Sequence, residues 1–487
     1  MAKTSKKLTR FIVLPTRGLK ARPPHSSPTV GDALRTLHQR PGVRVVDSVH
    51  DDGAKLVEMH PDRASELRAA HPGLRIVPMA YFHPAVAPRH SVTPDKKKHK
   101  GKSGASIRIR VESSSGGGPI AGVSVVAFTD YAAKTGDQAV TGAKGHATLS
   151  LGKTKKKVER LFIYADSAHW SGMWRDIKLK SGATFQLQAI DLSFTDELKF
   201  IYGEAPLAAG AGVTVGVVDT GVAHHRDLTI AGGRNTVPGE RPEEFGDNGQ
   251  GHGTHVAGII AGHGTAPHGM RGMAPAVQLR SYRVYAKGSS AAGSYAIAKA
   301  IDAAVQDQCD LINLSLGGEA LDEATKSAIA DARAAGSLVI VSAGNDGRKP
   351  VTFPASDPLS IAVSALGRKG TYPSDTPQAG DQMAPYAVSD SRYFVAAFSN
   401  IGDAIALTAP GVGVISTFPG DTYAVMDGTS MACPAVTGAA ARLLAENKRI
   451  LRMPRDSARS DAIAQLLLQS AKALGLGGPL EGRGLLR

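Results

Sequence analysis

Cysteine is nearly missing: Cys309 and Cys433 are the only two in 487 residues, which excludes a disulfide framework and reads as two reduced, buried thiols. Long apolar runs are missing too. Each is broken by Gly, His or charge well short of the roughly 18 consecutive apolar residues of a membrane span, so no membrane partner is expected. The start, MAKTSKKLTRFIVLPTRG, is basic but continues with only about four apolar residues, too few for a secretory signal. A cytoplasmic location or leaderless export is the expectation. Acidic residues are the minority, 43 against 57 basic, for a net charge of +14. Much of that excess is local: Lys3, Lys6, Lys7 and Arg10 at the start, Lys96, Lys97, Lys98, Lys100 and Lys102 in one stretch, and Lys155, Lys156 and Lys157 in one loop. Such runs read as solvated tails and loops. With no aromatic-interleaved basic helix, a nucleic-acid partner is not expected. What remains is ordinary for a globular chain, 42% hydrophobic and 21% charged, of a length that suggests about three domains.

Residues 1–82 alternate as β-α-β-β-α-β: strand-like Phe11 to Leu14, helical Gly31 to Gln39, β-rich Val43 to Val49 and Ala54 to Met59, helical Pro61 to Ala70, then Leu74 to Ala80. Asp51-Asp52-Gly53 supplies the central hairpin turn, which fits a ferredoxin-like α+β domain. Residues 83–104, rich in Pro, Gly, Ser and Lys without periodicity, read as an exposed basic linker. From 105 to 191 apolar residues alternate at period two, as in Ile107, Ile109 and Val111, and Gly/Ser clusters punctuate the runs. This predicts an all-β sandwich. Residues 195–487 change again: nearly continuous apolar strands at Val213 to Val218, Leu279 to Tyr285, Leu311 to Leu316 and Leu338 to Val341 alternate with helical segments. That pattern predicts an α/β domain, a three-layer parallel sheet covered on both faces, with its chemistry at the carboxyl ends of the strands.

Four segments of that last region carry chemical side chains. Asp219-Thr220-Gly221 ends a strand, and His252-Gly253-Thr254-His255-Val256-Ala257-Gly258 suits a tightly packed helix with a histidine at its mouth. Ala343-Gly344-Asn345-Asp346 places an amide just past another strand, and Gly428-Thr429-Ser430-Met431-Ala432 opens an apolar helix with a serine. A serine hydroxyl is a weak nucleophile. It needs a base within hydrogen-bond reach, and the base needs a partner that fixes its tautomer and stabilises its imidazolium. Ser430, His252 and Asp219 fill those places, while the Asn345 amide and the Ser430 N–H at a helix start would stabilise an oxyanion.

These motifs, in the order Asp, His, Ser, resemble the subtilisin-like serine peptidases, the subtilase family, over about 195–487. The resemblance implies a subtilisin-like fold and a serine endopeptidase acting on protein or peptide substrates through an acyl-enzyme on Ser430. It further implies that Ser315, Leu316 and Gly317, with the segment Lys287 to Ala292, bind substrate backbone as added strands, and that Asp346 lines the first specificity pocket. No cofactor is implied for the chemistry. Asp227 resembles a ligand of the family's calcium loop, yet 261–271 contains no carboxylate, so strong calcium binding and a metal site are not expected. The N-terminal module resembles the family's propeptide, which implies a self-processing zymogen whose own N-terminal domain is an intramolecular inhibitor, with cleavage expected between Phe82 and Gly104. Two further readings stay open: a peptide ligase or macrocyclase using the same acyl-enzyme, and an inhibitor-locked peptide-binding protein. His224, His225 and Asp227 read as a loop and His255 as a packing residue. Trp170 and Trp174 read as packing in or on the sandwich.

Overall fold

The computed structural model describes residues 8–21, 28–93, 106–151, 157–318 and 321–486. The lysine runs at 3–7 and 96–102, and Lys155 and Lys156, lie outside them.

The strand Thr9–Leu14 is apolar on consecutive residues because both of its faces are covered. It forms the middle of an antiparallel four-stranded sheet with Lys55–Met59 and Arg75–Pro78 beside it and Val43–Ser48 at the edge. Phe11 and Val13 pack on the helices Pro28–Arg35 and Pro61–Ala70, together with Leu34 and Leu67. Ile12, Leu14 and Leu56 point the other way, into a core shared with the helices Ser294–Gln306 and Glu323–Ala334 of the C-terminal module. Polar contacts ring that apolar seam: the Leu19 N–H donates to Asp331 at 2.7 Å, Lys299 pairs with Asp47 at 2.6 Å, and Arg75 pairs with Glu323 at 3.1 Å.

The C-terminal module is built on a ten-stranded sheet. Seven consecutive strands, from Ile230–Asn235 at one edge through Thr214–Asp219 and Leu311–Leu314 to Ile405–Pro410, run parallel. The helices His252–Ala261 and Thr429–Glu446 cover one face and the pair Ser294–Gln306 and Glu323–Ala334 the other, which is why central strands such as Thr214–Asp219 and Leu338–Ser342 carry no polar alternation. Among the described residues no helix is long and apolar enough to cross a membrane.

Between the two modules, two sheets face each other around Ile109, Val111, Val125, Leu149 and Leu161. One has the strand order Gly172–Lys178, Lys157–Tyr164, Ser124–Asp130, Thr135–Val140; the other is Thr184–Leu187, Ser106–Ser113, His146–Ser150. Trp174 packs edge-on against Phe185 within this unit, whereas Trp170, 1% exposed, belongs to the core of the C-terminal module and meets Phe194 at 5.4 Å.

One expectation needs correction. Residues 83–93 are largely exposed, as expected, but they do not begin as a linker: Tyr81–Pro84 is a strand, so the boundary expected after residue 82 falls inside it, and Ala85 is buried. The Pro-rich composition that reads as a linker suits an extended chain whose proline nitrogens need no hydrogen-bond partner. The rest of that stretch, 94–104, lies outside the described residues.

Candidate active site

Three adjacent parallel strands deliver the site's groups to one edge of the sheet. Asp219 is the last residue of its strand, Ser315 follows Leu311–Leu314, and Asn345 follows Leu338–Ser342. Their carboxyl ends face the first turns of the two helices that begin at His252 and Thr429.

Asp219 and His252 are joined by a hydrogen bond of 2.7 Å between Oδ1 and Nδ1, both side chains almost fully buried. Oδ1 also accepts the Thr220 N–H at 2.6 Å, so the carboxylate is held from two sides. Gly253 makes this approach possible, because a β-carbon there would sit 2.3 Å from the Gly221 carbonyl oxygen. The other imidazole nitrogen, Nε2, is buried and has no partner among the described residues. Ser430 does not supply one in this state: its Oγ donates to the Ser315 carbonyl at 2.9 Å, while Ser315 Oγ donates back to the Ser430 carbonyl at 2.9 Å. Ser430 stands in the first turn of the 18-residue helix Thr429–Glu446, where backbone N–H groups and the helix dipole favour negative charge. Asn345 is fixed by its Oδ1, which accepts the Thr429 N–H at 2.9 Å, leaving its Nδ2 buried without a partner among the described residues.

The chain's own segment 80–87 runs through this site. Tyr81–Pro84 is sandwiched as an antiparallel strand, pairing Leu316 with Pro84 and Gly317 with His83 on one side, and Ala292 with Phe82 and Gly293 with Tyr81 on the other. Ser294 extends the second side: its N–H donates to the Ala80 carbonyl at 2.9 Å and its Oγ accepts the Ala80 N–H at 3.1 Å. The Ala85 N–H donates to the Ser315 carbonyl at 3.2 Å, and the Ala85 carbonyl accepts the Ser430 N–H at 3.1 Å. Two residues further, the Ala87 N–H donates to the Asp427 carbonyl at 2.8 Å. Gly428 has φ +151°, and a β-carbon on it would lie 2.5 Å from the Ala85 oxygen, so only glycine lets that carbonyl in. Of the expected backbone-binding segment Lys287 to Ala292, only Ala292 pairs, with Gly293 and Ser294 continuing beyond it. Gly428, Ser294 and the Asp427 carbonyl were not singled out from sequence, and only Gly428 carried a signal, as the first residue of the serine motif.

Beside Ala85 lies a pocket of about 560 Å³ with Gly317, Asn345, Asp346 and Thr352 in its wall. Asp346 is rigid there, since Asn400 donates to its carboxylate at 2.7 Å and accepts its N–H at 2.8 Å. Phe82 is fully buried against Phe353, with ring centres 6.1 Å apart.

The residues around Asp227 do not make a calcium cage. Its Oδ2 accepts the Met270 N–H at 2.8 Å and the Tyr423 hydroxyl at 2.8 Å, and the 261–271 segment brings no carboxylate. His225 is likewise engaged by protein, with Nε2 3.0 Å from the Thr422 carbonyl and Nδ1 accepting the Asp227 N–H at 3.0 Å. His255 is wholly buried and held 3.2 Å from both the Val414 and Ala424 carbonyls, and burial, with His252 nearby, pushes its pKa down to about 3. The Cys433 thiol contacts Asn313 Oδ1 at 3.1 Å, and burial pushes its pKa up, so it is no second nucleophile.

Comparison with known proteins agrees with this geometry. Residues 210–485 match the subtilase family model, Peptidase_S8. Subtilisin DY of Bacillus licheniformis is 39% identical over 243 residues, 49% of this chain and 78% of that protein. Subtilisin Savinase of Lederbergia lenta is 38% identical over 239 residues, again 49% of this chain and 78% of that protein, and an alkaline protease of Shouchella clausii is 38% identical over 55% of its length. The chain belongs to the subtilase family and is a serine-type endopeptidase.

Proposed function

We propose that the chain is a self-processing zymogen that cuts its own Ala85–Val86 bond and then hydrolyses peptide bonds through an acyl-enzyme on Ser430. The observation that carries this reading is the seating of Ala85: its carbonyl rests on the Ser430 N–H while its flanking residues pair with Leu316, Gly317 and Ala292 as an added strand.

In this reading the Ser430 hydroxyl turns from the Ser315 carbonyl towards His252 Nε2, which has no other partner among the described residues. His252 takes the hydroxyl proton as Oγ attacks the Ala85 carbonyl carbon, and Asp219 stabilises the imidazolium that results. The oxygen becomes an oxyanion received by the Ser430 N–H and the Asn345 amide. Collapse breaks the Ala85–Val86 bond, the Val86 amine leaves with the proton from His252, and water later releases the acyl group by the same route. Asp346 and Thr352 wall the pocket that receives the side chain before the cut bond. Residues 9–85 are the intramolecular inhibitor in this account, held by the apolar seam of Ile12, Leu14 and Leu56 as well as by the cleft. No metal enters any step.

Hydrolysis of an unfolded protein, with fluorophosphonate labelling, tests the assignment. The processed chain should digest it and take up one label on the peptide containing Ser430, and Ser430→Ala should lose both. Undiminished digestion by Ser430→Ala would refute the role of that serine.

A further inference from the structure

The four-stranded sheet of the middle unit is buried on the side where alternation leaves a solvent face. Val125, Ala127, Leu161 and Ile163 fill the core between the two sheets, but Val126, Phe128, Phe162 and Tyr164 form a second apolar cluster on the outside. What lies across that outer face is the chain just past Ala85. Arg89 pairs with Asp166 at 2.7 Å, donates to the Ala165 carbonyl at 3.2 Å, and sits 5.4 Å above the Tyr164 ring. The His90 N–H donates to the Tyr164 hydroxyl at 3.0 Å, and its ring lies 4.5 Å from Phe162 and 5.4 Å from Tyr131. Further on, the Thr93 N–H donates to the Lys134 carbonyl at 2.9 Å. The face is fixed beside the active site: the Met173 N–H donates to the Asp375 carbonyl at 2.7 Å and the Ala168 N–H to the Tyr423 carbonyl at 2.8 Å. A cavity of about 590 Å³ spans the join, with Tyr131, Phe162 and Met173 on one wall and Gln378, Phe398 and Asp427 on the other.

We propose that this face is a recognition site for substrate chain beyond the cut bond, taking a guanidinium at the fourth residue and an imidazole or aromatic ring at the fifth. The numbering rests on Ala85–Val86 as the cut bond. The ring carries most of the selectivity, because the Arg89–Asp166 pair is half exposed and such pairs contribute little, whereas tilted packing on Phe162 and edge-on packing on Tyr131 cover apolar surface. Burial, with Lys134 nearby, lowers the pKa of His90, so the ring is held neutral, which suits Phe or Tyr equally. After processing, residues 86–93 stay joined to the middle unit and act as a tethered competitor for the same face.

The test is hydrolysis in trans by the processed chain carrying Arg89→Ala and His90→Ala, which weakens the competitor and leaves the face intact. Two peptides span residues 79–92, one native and one with alanine at both positions; Phe-His-Pro-Ala p-nitroanilide, which ends at the cut bond, reads the catalytic groups alone. The native peptide should show about tenfold higher kcat/KM than its alanine counterpart. Adding Phe162→Ala, or the milder Tyr131→Ala, should erase that difference with anilide hydrolysis unchanged, and the chain with native Arg89 and His90 should show a raised KM for the native peptide. Equal kcat/KM for the two peptides overturns the proposal. A chain that stays uncut and ignores the anilide would instead overturn self-processing, and trypsin then decides: in Ser430→Ala, cutting after Arg89 should be slow until Tyr131→Ala is added, and fast cutting without it overturns the recognition face.

Discussion

Ser430 shows what a single residue's surroundings add to its motif. The sequence around it identifies a nucleophile through the helix start and the neighbouring glycine, but the hydroxyl's choice of the Ser315 carbonyl over His252 depends on backbone from another strand, which no local pattern encodes. Asn345 was readable because it stands just past a strand end in a motif that accompanies the Asp, His and Ser segments, where an amide can serve an oxyanion. Asn345→Ala should lower kcat for peptide hydrolysis by about 10²–10³ with KM little changed, the magnitude known for this donor in a subtilisin; a KM effect alone would contradict the oxyanion role. His255 contributes to stability instead. Its pKa is about 3 in the fold against an ordinary 6.5, so its contribution is complete above pH 6.5 and is lost as pH falls towards 3, at up to ~1.4 kcal/mol per pH unit. In a Ser430→Ala background, urea unfolding between pH 7 and 4 should show a shallower fall for His255→Gln than for His255. Parallel curves would contradict this.

Among the elements, the strand Tyr81–Pro84 was the hardest to read. Pro84 and Pro88 suggest a linker, whereas an extended chain laid between two borrowed strands makes only some of its ladder bonds and tolerates both prolines. The strands Ser124–Asp130 and Lys157–Tyr164 misled in a different way. Their apolar residues are consecutive, not alternating, which is the mark of burial on both faces, and the outer half of each lies against the segment after Ala85. Phe82 anchors the strand Tyr81–Pro84, fully buried against Phe353 and close to Gly318. Phe82→Ala should weaken the hold of the excised segment by about 3 kcal/mol, roughly 10²-fold. The delay between self-cleavage and the appearance of peptidase activity should shorten accordingly; an unchanged delay would contradict its anchoring role.

Across the whole molecule, the C-terminal module was the most legible part, because hydrophobic strands, helices and the site's motifs all point to one architecture. The β-α-β-β-α-β order of the first module was legible for the same reason, and its sheet order follows from it. How the three parts sit together was not, since Ile12, Leu14 and Leu56 meet the helices at 294–306 and 323–334 across more than two hundred residues of sequence. In the proposed reading, that seam makes the N-terminal module an inhibitor that delivers Ala85 to Ser430. The measurement that tests this most directly is the intact mass and N-terminal sequence of wild type and Ser430→Ala, expressed and stored alike. Wild type should separate into a fragment ending at Ala85 and a chain beginning Val86-Ala87-Pro88, with Ser430→Ala left whole. Cleavage at the same bond in Ser430→Ala, or a wild-type cut elsewhere, would contradict the account.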